Sequence, residues 1–170
     1  MRSSAASDVY KRQVLKNFEI AQGIWQMELF APQIATVASP GQFINLYPND
    51  STLLLPRPIS LSAILTEEIQ IIYRVVGHGT RQFSNLQSGE EIKIMGPLGN
   101  GFTLPNADKQ NIVIGGGLGI PPLSELVRRL KGRTEVFLGF SGKVFLTEEF
   151  DRPGITVHLS LIHISEPTRR

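Results

Sequence analysis

Gly115-Gly116-Gly117-Leu118-Gly119-Ile120-Pro121-Pro122 lies between a short apolar run, residues 111–114, and a segment with apolar residues at Leu123, Leu126, Val127 and Leu130. The first pattern reads as a buried parallel strand and the second as a helix. Glycines in such a strand-to-helix turn let main-chain amides close on an anion, and the helix N-terminus adds partial positive charge. Together these favour a diphosphate. Pro121 and Pro122 suit the first helical turn, where no amide hydrogen is needed. The pattern departs from G-x-G-x-x-G at its third glycine, so on its own it fits nucleotide binding and a tight structural turn equally well.

Two further clusters carry chemistry. Arg57-Pro58-Ile59-Ser60 offers a donor fork for phosphate on a proline-stiffened strand, with a serine able to present a hydroxyl and an amide to a heteroaromatic ring; taken alone, an edge-strand arginine with a solvated head explains it better. Gly77-His78-Gly79-Thr80 precedes a helical segment and forms a second glycine loop, with His78 read as an exposed turn residue. Just before it stand Ile72, Tyr73 and Arg74, where a tyrosine can stack on a planar ring or simply fill a strand position. The sequence has no G-x-S-x-G, no H-E-x-x-H and no evident carboxylate pair, which leaves hydrolysis and metal chemistry without support. Zero cysteines exclude disulfides, thiolate catalysis and sulfur-held metal in these residues.

The elements that must position these clusters fall into two patterns. Residues 14–20, 24–30, 41–47, 58–64, 69–76 and 91–95 read as short strands separated by Gly, Pro, Asn and Ser turns, which predicts a small antiparallel β barrel. One helix interrupts them, with Thr80 as its N-cap and Phe83 and Leu86 facing the core. Residues 96–101 read as a linker. Beyond them the order strand, glycine loop, helix, strand (134–138), second helix (from 146) and third strand (155–158) predicts an α/β unit that stops early. The expected fold class is thus an antiparallel β barrel followed by a truncated α/β domain, divided at residues 14–100 and 101–158.

The ends have a different character. Five of the 17 Lys and Arg residues but only two of the 15 Asp and Glu lie in residues 1–13 and 159–170, so the basic excess belongs to the tails. Residues 8–13 can be written GAT GTG TAT AAG AGA CAG, whose reverse complement CTG TCT CTT ATA CAC ATC encodes residues 159–164. Two protein segments read from opposite strands of one DNA element have no structural rationale, and they resemble the transposase recognition end used to tag sequencing libraries. Residues 1–13 and 159–170 are therefore expected to be adapter-derived, and residues 159–164 are expected to form a strand by their alternation alone. With the tails set aside nothing calls for nucleic acid. No apolar run spans a bilayer and no secretory leader is visible, which reads as a cytoplasmic chain without a membrane partner.

Taken in order, R-P-I-S, I-Y-R, G-x-G-T, G-P-L-G-N-G-F (residues 96–102) and G-G-G-L-G-I-P-P-L resemble the ferredoxin reductase-like flavoprotein superfamily. Within it they are most similar to the family of electron-transfer subunits of NAD-dependent dihydroorotate dehydrogenases. The resemblance implies an FAD-binding barrel and an NAD-binding α/β domain. It places Arg57, Pro58, Ile59, Ser60, Ile72, Tyr73, Arg74, Gly79 and Thr80 at FAD, and Gly116, Gly117, Gly119, Ile120, Gly139 and Phe140 at NAD. It further implies electron flow in pyrimidine biosynthesis from an FMN-containing dihydroorotate dehydrogenase catalytic subunit, through a [2Fe–2S] cluster and FAD, to NAD. The cluster's four cysteines belong to the C-terminal part of the family pattern and are absent here, so the truncated chain is expected to lack the relay and to be inactive alone. A reductase subunit for ferredoxin, hydrogenase or sulfite chemistry is the alternative within the superfamily, and a flavin-binding module without turnover is the alternative outside it.

Overall fold

The computed structural model describes residues 9–49, 55–106 and 109–161. The first six strands alternate inward apolar and outward polar residues: β1 (Tyr10–Ala21), β2 (Ile24–Phe30), β3 (Phe43–Tyr47), β4 (Arg57–Ile64), β5 (Glu68–Arg74) and β6 (Glu91–Leu98). They close into an antiparallel barrel in the order β1-β2-β5-β4-β3-β6, so that every strand has a neighbour on each side over at least part of its length. Val14, Met27, Leu29, Ile44, Leu46, Leu61 and Ile69 fill its interior.

The barrel departs from expectation at three points. Helix α1 (Pro32–Val37) stands where Pro32 reads as a turn; the proline occupies the first helical turn, where it displaces no hydrogen bond, and Ile34 and Ala35 are buried. Residues 96–98 are the end of β6 rather than a linker, because Gly96 has no side chain to collide with Ile44: a Cβ there would stand 2.5 Å from Ile44 Cγ2. The barrel closes between β1 and β6 through Tyr10↔Ile94, Lys11↔Lys93, Arg12↔Ile92 and Gln13↔Glu91, so β1 begins inside the predicted adapter segment.

Helix α2 (His78–Ser84) starts two residues before the expected Thr80 cap, with Gly77 as its N-cap and Phe83 buried as expected. Thr80 braces the start from within: its hydroxyl accepts from the amides of Val76 (3.0 Å) and Gly77 (3.2 Å).

The second layer is a parallel sheet β7-β8-β9 of Asn111–Gly116, Thr134–Phe140 and Ile155–Leu161, joined by helix α3 (Pro121–Arg129). Pro121 and Pro122 occupy the first turn of α3, as the sequence predicts. The second helix is only a 3-10 turn, Thr147–Phe150: Leu146 takes a left-handed conformation (φ 62°) that an α-helix does not admit, and Pro153 and Gly154 follow closely. β7 is not buried on both faces. Val113 points to α3, while Ile112 and Ile114 are 65% and 74% exposed on the side that no described helix covers. β9 runs through residues 159–161, pairing Leu138↔Leu159 and Phe140↔Leu161; the rest of the strand expected at 159–164 lies outside the described residues.

A second core, apart from the barrel interior, joins the two layers. Ala21, Ile24 and Ile72 of the barrel pack with Val113, Ile120, Val136, Leu138 and Phe150. Ile72 and Tyr73, adjacent on β5, therefore point to opposite cores, as strand alternation requires.

Candidate functional site

The chemically suggestive stretches converge on one cleft of about 340 Å³ between barrel and glycine loop. β4 contributes Arg57, Pro58, Ile59 and Ser60, and β5 contributes Ile72, Tyr73 and Arg74. Thr80 of α2, Leu118 of the glycine loop, and Pro121 and Pro122 at the start of α3 complete the wall.

Arg57 and Gly79 form a matched contact. A Cβ on Gly79 would stand 3.0 Å from Arg57 Nη2 and 3.1 Å from Cζ, so the guanidinium lies directly against this glycine at the start of α2. Gly79 has no positive φ to explain its identity. Its role is to admit the arginine. Arg57 Nη1 also donates to the Leu55 carbonyl, which anchors the fork from the other side. Cationic donors and helix-start amides thus sit together, the combination that suits a phosphate group.

Tyr73 borders this cleft from inside the barrel. Its ring is 1% exposed, packs edge-on to Phe83 and donates its hydroxyl to Asn17 Oδ1 at 3.0 Å. Asn17 Nδ2 in turn donates to the carbonyls of Phe83 (2.8 Å) and Leu86 (2.9 Å), which ties β1, β5 and α2 together. The ring belongs to the core and offers no open stacking face. Burial pushes the Tyr73 phenol well above its ordinary value of about 10. The folded chain holds this proton more tightly than the unfolded chain, so the stabilisation is whole below about pH 10 and is lost as pH rises from there. Alkaline titration followed at 295 nm is expected to show one of the three tyrosines ionising only as the chain unfolds.

A second, more polar cavity of about 260 Å³ lies beside the first, with Arg74 on the wall of both. Gly117, Phe140, Ser141 and Lys143 also line it. Gly116 pairs with Gly139 across the β7–β8 ladder. The NAD-site candidates are therefore neighbours, although Ile120 is fully buried and Phe140 is packed on Phe145, leaving their main chains as the available groups. The glycines are not equivalent. A Cβ on Gly115 would collide with Leu123 Cδ1 at 2.5 Å, and Gly117 takes φ +51°; Gly119 has neither constraint and nothing within 4 Å of a Cβ. No packing within the chain requires a glycine at 119, and the open space beside it fits the close approach of a ligand.

Sequence reasoning missed Asn17, Ser124 and Glu125, all part-buried or buried and hydrogen-bonded across elements. The available signal was a polar residue at an inward position of an otherwise alternating or amphipathic segment.

Comparison with known proteins decides the family. The electron transfer subunit of dihydroorotate dehydrogenase B (NAD(+)) from Fusobacterium nucleatum is 39% identical over 153 residues, covering 84% of this chain and 59% of that protein. The subunit of the same name from Streptococcus pneumoniae serotype 4 is 35% identical over 170 residues, covering 88% of this chain and 68% of that protein. The chain belongs to this electron transfer subunit family. It spans about 59% of the length of the Fusobacterium relative. No family model matches it. Among solved structures, an NADH-dependent reduced ferredoxin-NADP oxidoreductase superposes with a TM-score of 0.77 at 22% identity, covering 94% of this chain and 58% of that one. A ferredoxin-NADP+ reductase from Plasmodium falciparum gives 0.74 at 16% identity, covering 90% and 70%. These share the fold, a closed antiparallel barrel followed by a parallel sheet with helices, in agreement with the fold class read from the sequence. No helix among the described residues is long and apolar enough to cross a membrane, and no cluster of His, Asp or Glu among them is placed to hold a metal ion.

Proposed function

We propose that this chain is the FAD-binding part, with the beginning of the NAD-binding part, of a subunit that carries electrons from dihydroorotate oxidation in an FMN-containing partner subunit to NAD. The observation that carries the reading is the convergence of Arg57 to Ser60, Ile72 to Arg74, Thr80 and Leu118 on a single cleft, with Gly79 against the Arg57 guanidinium. Family membership supplies the reaction.

In this reading Arg57 and the first turn of α2 hold the diphosphate, while Ser60 and the edge of β5 border the flavin ring. Bound FAD supplies the exchange between paired electrons at nicotinamide and single electrons at a one-electron carrier. The chain's own groups bind and orient: Arg57 neutralises charge, and Gly79 keeps the guanidinium in place. Gly116, Gly117 and Gly119 leave room for the nicotinamide dinucleotide against the strand ends, where open α/β sheets take ligands. The sequence has no cysteine, so it offers no thiolate to an iron–sulfur cluster.

The same proposal assigns residues 14–100 to the FAD barrel, 101–158 to a truncated NAD domain and the two tails to adapter sequence, with the chain inactive by itself and acting in the cytoplasm. A genomic copy that continues past His158 with other residues supports the tail assignment; one encoding LSLIHISEPTR in place overturns it.

Titration of the purified chain with FAD tests the function. The expected result is one FAD retained per chain with an oxidised-flavin spectrum. Absence of binding by a chain with intact β-sheet circular dichroism overturns the reading.

A further inference from the structure

β4 loses its neighbour part-way along its length. β3 pairs with it only as far as Phe43↔Ser60, and the Leu61 amide makes a last bond to the Gln42 carbonyl at 3.0 Å. Beyond that point the edge formed by Ser62 and Ile64 faces α3, which covers it with side chains. Ser124 Oγ lies 2.7 Å from the Ser62 carbonyl oxygen as its donor, the Glu125 carboxylate accepts the Ile64 amide at 3.1 Å, and Arg128 donates to the Ile64 carbonyl at 2.5 Å. Three side chains of one helix complete the ladder that a strand would otherwise make.

Glu125 is the centre of this contact. Its side chain is fully buried, with one oxygen 2.6 Å from Arg128 Nη2 and the other 2.6 Å from Arg129 Nε. An ion pair of this kind is a weak source of net stability compared with apolar packing, because the carboxylate must leave water completely while its arginines stay partly exposed. What it does supply is order: the two arginines of its own helix hold both carboxylate oxygens in place, so that Glu125 meets the Ile64 amide and Arg128 the Ile64 carbonyl in a fixed register. The two elements so joined are the ones that form opposite walls of the cleft. β4 carries Arg57 and Ser60 at its other end, and α3 begins at Pro121 and Pro122.

We propose that Glu125 and Arg128 are positioning residues, a latch that fixes the glycine-loop wall of the cleft at a set distance from the flavin-binding strand. The latch touches no cofactor. Its link to FAD rests on the proposed function above, and its geometry does not.

The test uses the 170-residue chain, which has no native cysteine to interfere with labelling. Spin labels at Lys93→Cys in the barrel and Lys131→Cys after α3 report the spacing of the two layers by pulsed electron resonance, without cofactor. Glu125→Gln keeps an acceptor for the Ile64 amide but removes the charge; Arg128→Leu removes both Arg128 contacts and keeps the aliphatic stem. Each is expected to broaden the distance distribution and to weaken FAD binding roughly fivefold or more, the usual lower range for coupling between separate sites. Val127→Ala, which removes only packing, is the control and is expected to lower stability while leaving both readouts unchanged.

An unchanged distribution in Arg128→Leu overturns the latch, and this variant decides the matter if Glu125→Gln fails to fold. A broadened distribution with unchanged FAD affinity overturns its role at the cleft. Failure of the parent chain to bind FAD overturns the flavin reading instead, while the distance measurement still judges the latch.

Discussion

Arg57→Ala is expected to weaken FAD binding by about 1.5–3 kcal/mol, roughly ten- to 150-fold, which is the range for a charge-assisted hydrogen bond. The guanidinium is held on one side by the Leu55 carbonyl and on the other by the bare face of Gly79. It therefore presents its remaining donors without first being ordered by the ligand. Arg57→Lys should recover only part of the loss, because an ammonium supplies charge but no planar fork. Calorimetric titration at fixed ionic strength measures both. Arg57 is only half-buried and lies outside both apolar cores, so the melting of the cofactor-free chain should change little. Unaltered affinity in Arg57→Ala removes Arg57 from the site.

Phe83→Ala is expected to cost about 3–5 kcal/mol of stability, the range for truncating a buried aromatic, out of the 5–15 kcal/mol by which domains are typically stable. The Phe83 ring is 1% exposed and meets Tyr73 at 6.3 Å in an edge-to-face contact. Its carbonyl accepts from Asn17. The substitution thus empties the space under α2, the helix whose start receives Arg57. Urea denaturation should show a lower midpoint with little change in slope, and saturating FAD should restore part of it by mass action. A loss below about 1 kcal/mol would mean that the barrel closes over the gap, and Phe83 would not be the support of the site.

The fold was readable where side-chain alternation did the placing. Met27 and Leu29 in β2 and Ile69 and Ile71 in β5 announce an inward face, and the strands fall close to where this periodicity puts them. The glycine loop was equally visible, because strand, glycines and two prolines in series fit one local geometry. What escaped were features decided by contacts between distant residues. Gly96 looks like a turn residue until Ile44 is beside it, and Glu125 looks like a solvated helix position until β4 runs out of neighbours. Tyr73 carries the opposite lesson. Its type suggests a ring stacked on a cofactor, but its register on β5 turns it into the barrel, and register prevails over residue type.

The seam between β1 and β6 shows how little side-chain identity a barrel needs to close. Four residue pairs make that seam, and all four use positions 10–13, the segment read as adapter. The closing bonds join main-chain groups, which nearly every residue carries alike. Positions 10–13 can therefore be rewritten with other extended, proline-free residues, but they cannot be cut away: a chain beginning at Val14 would present two raw strand edges to its neighbours, and self-association rather than loss of cofactor would be its first failing.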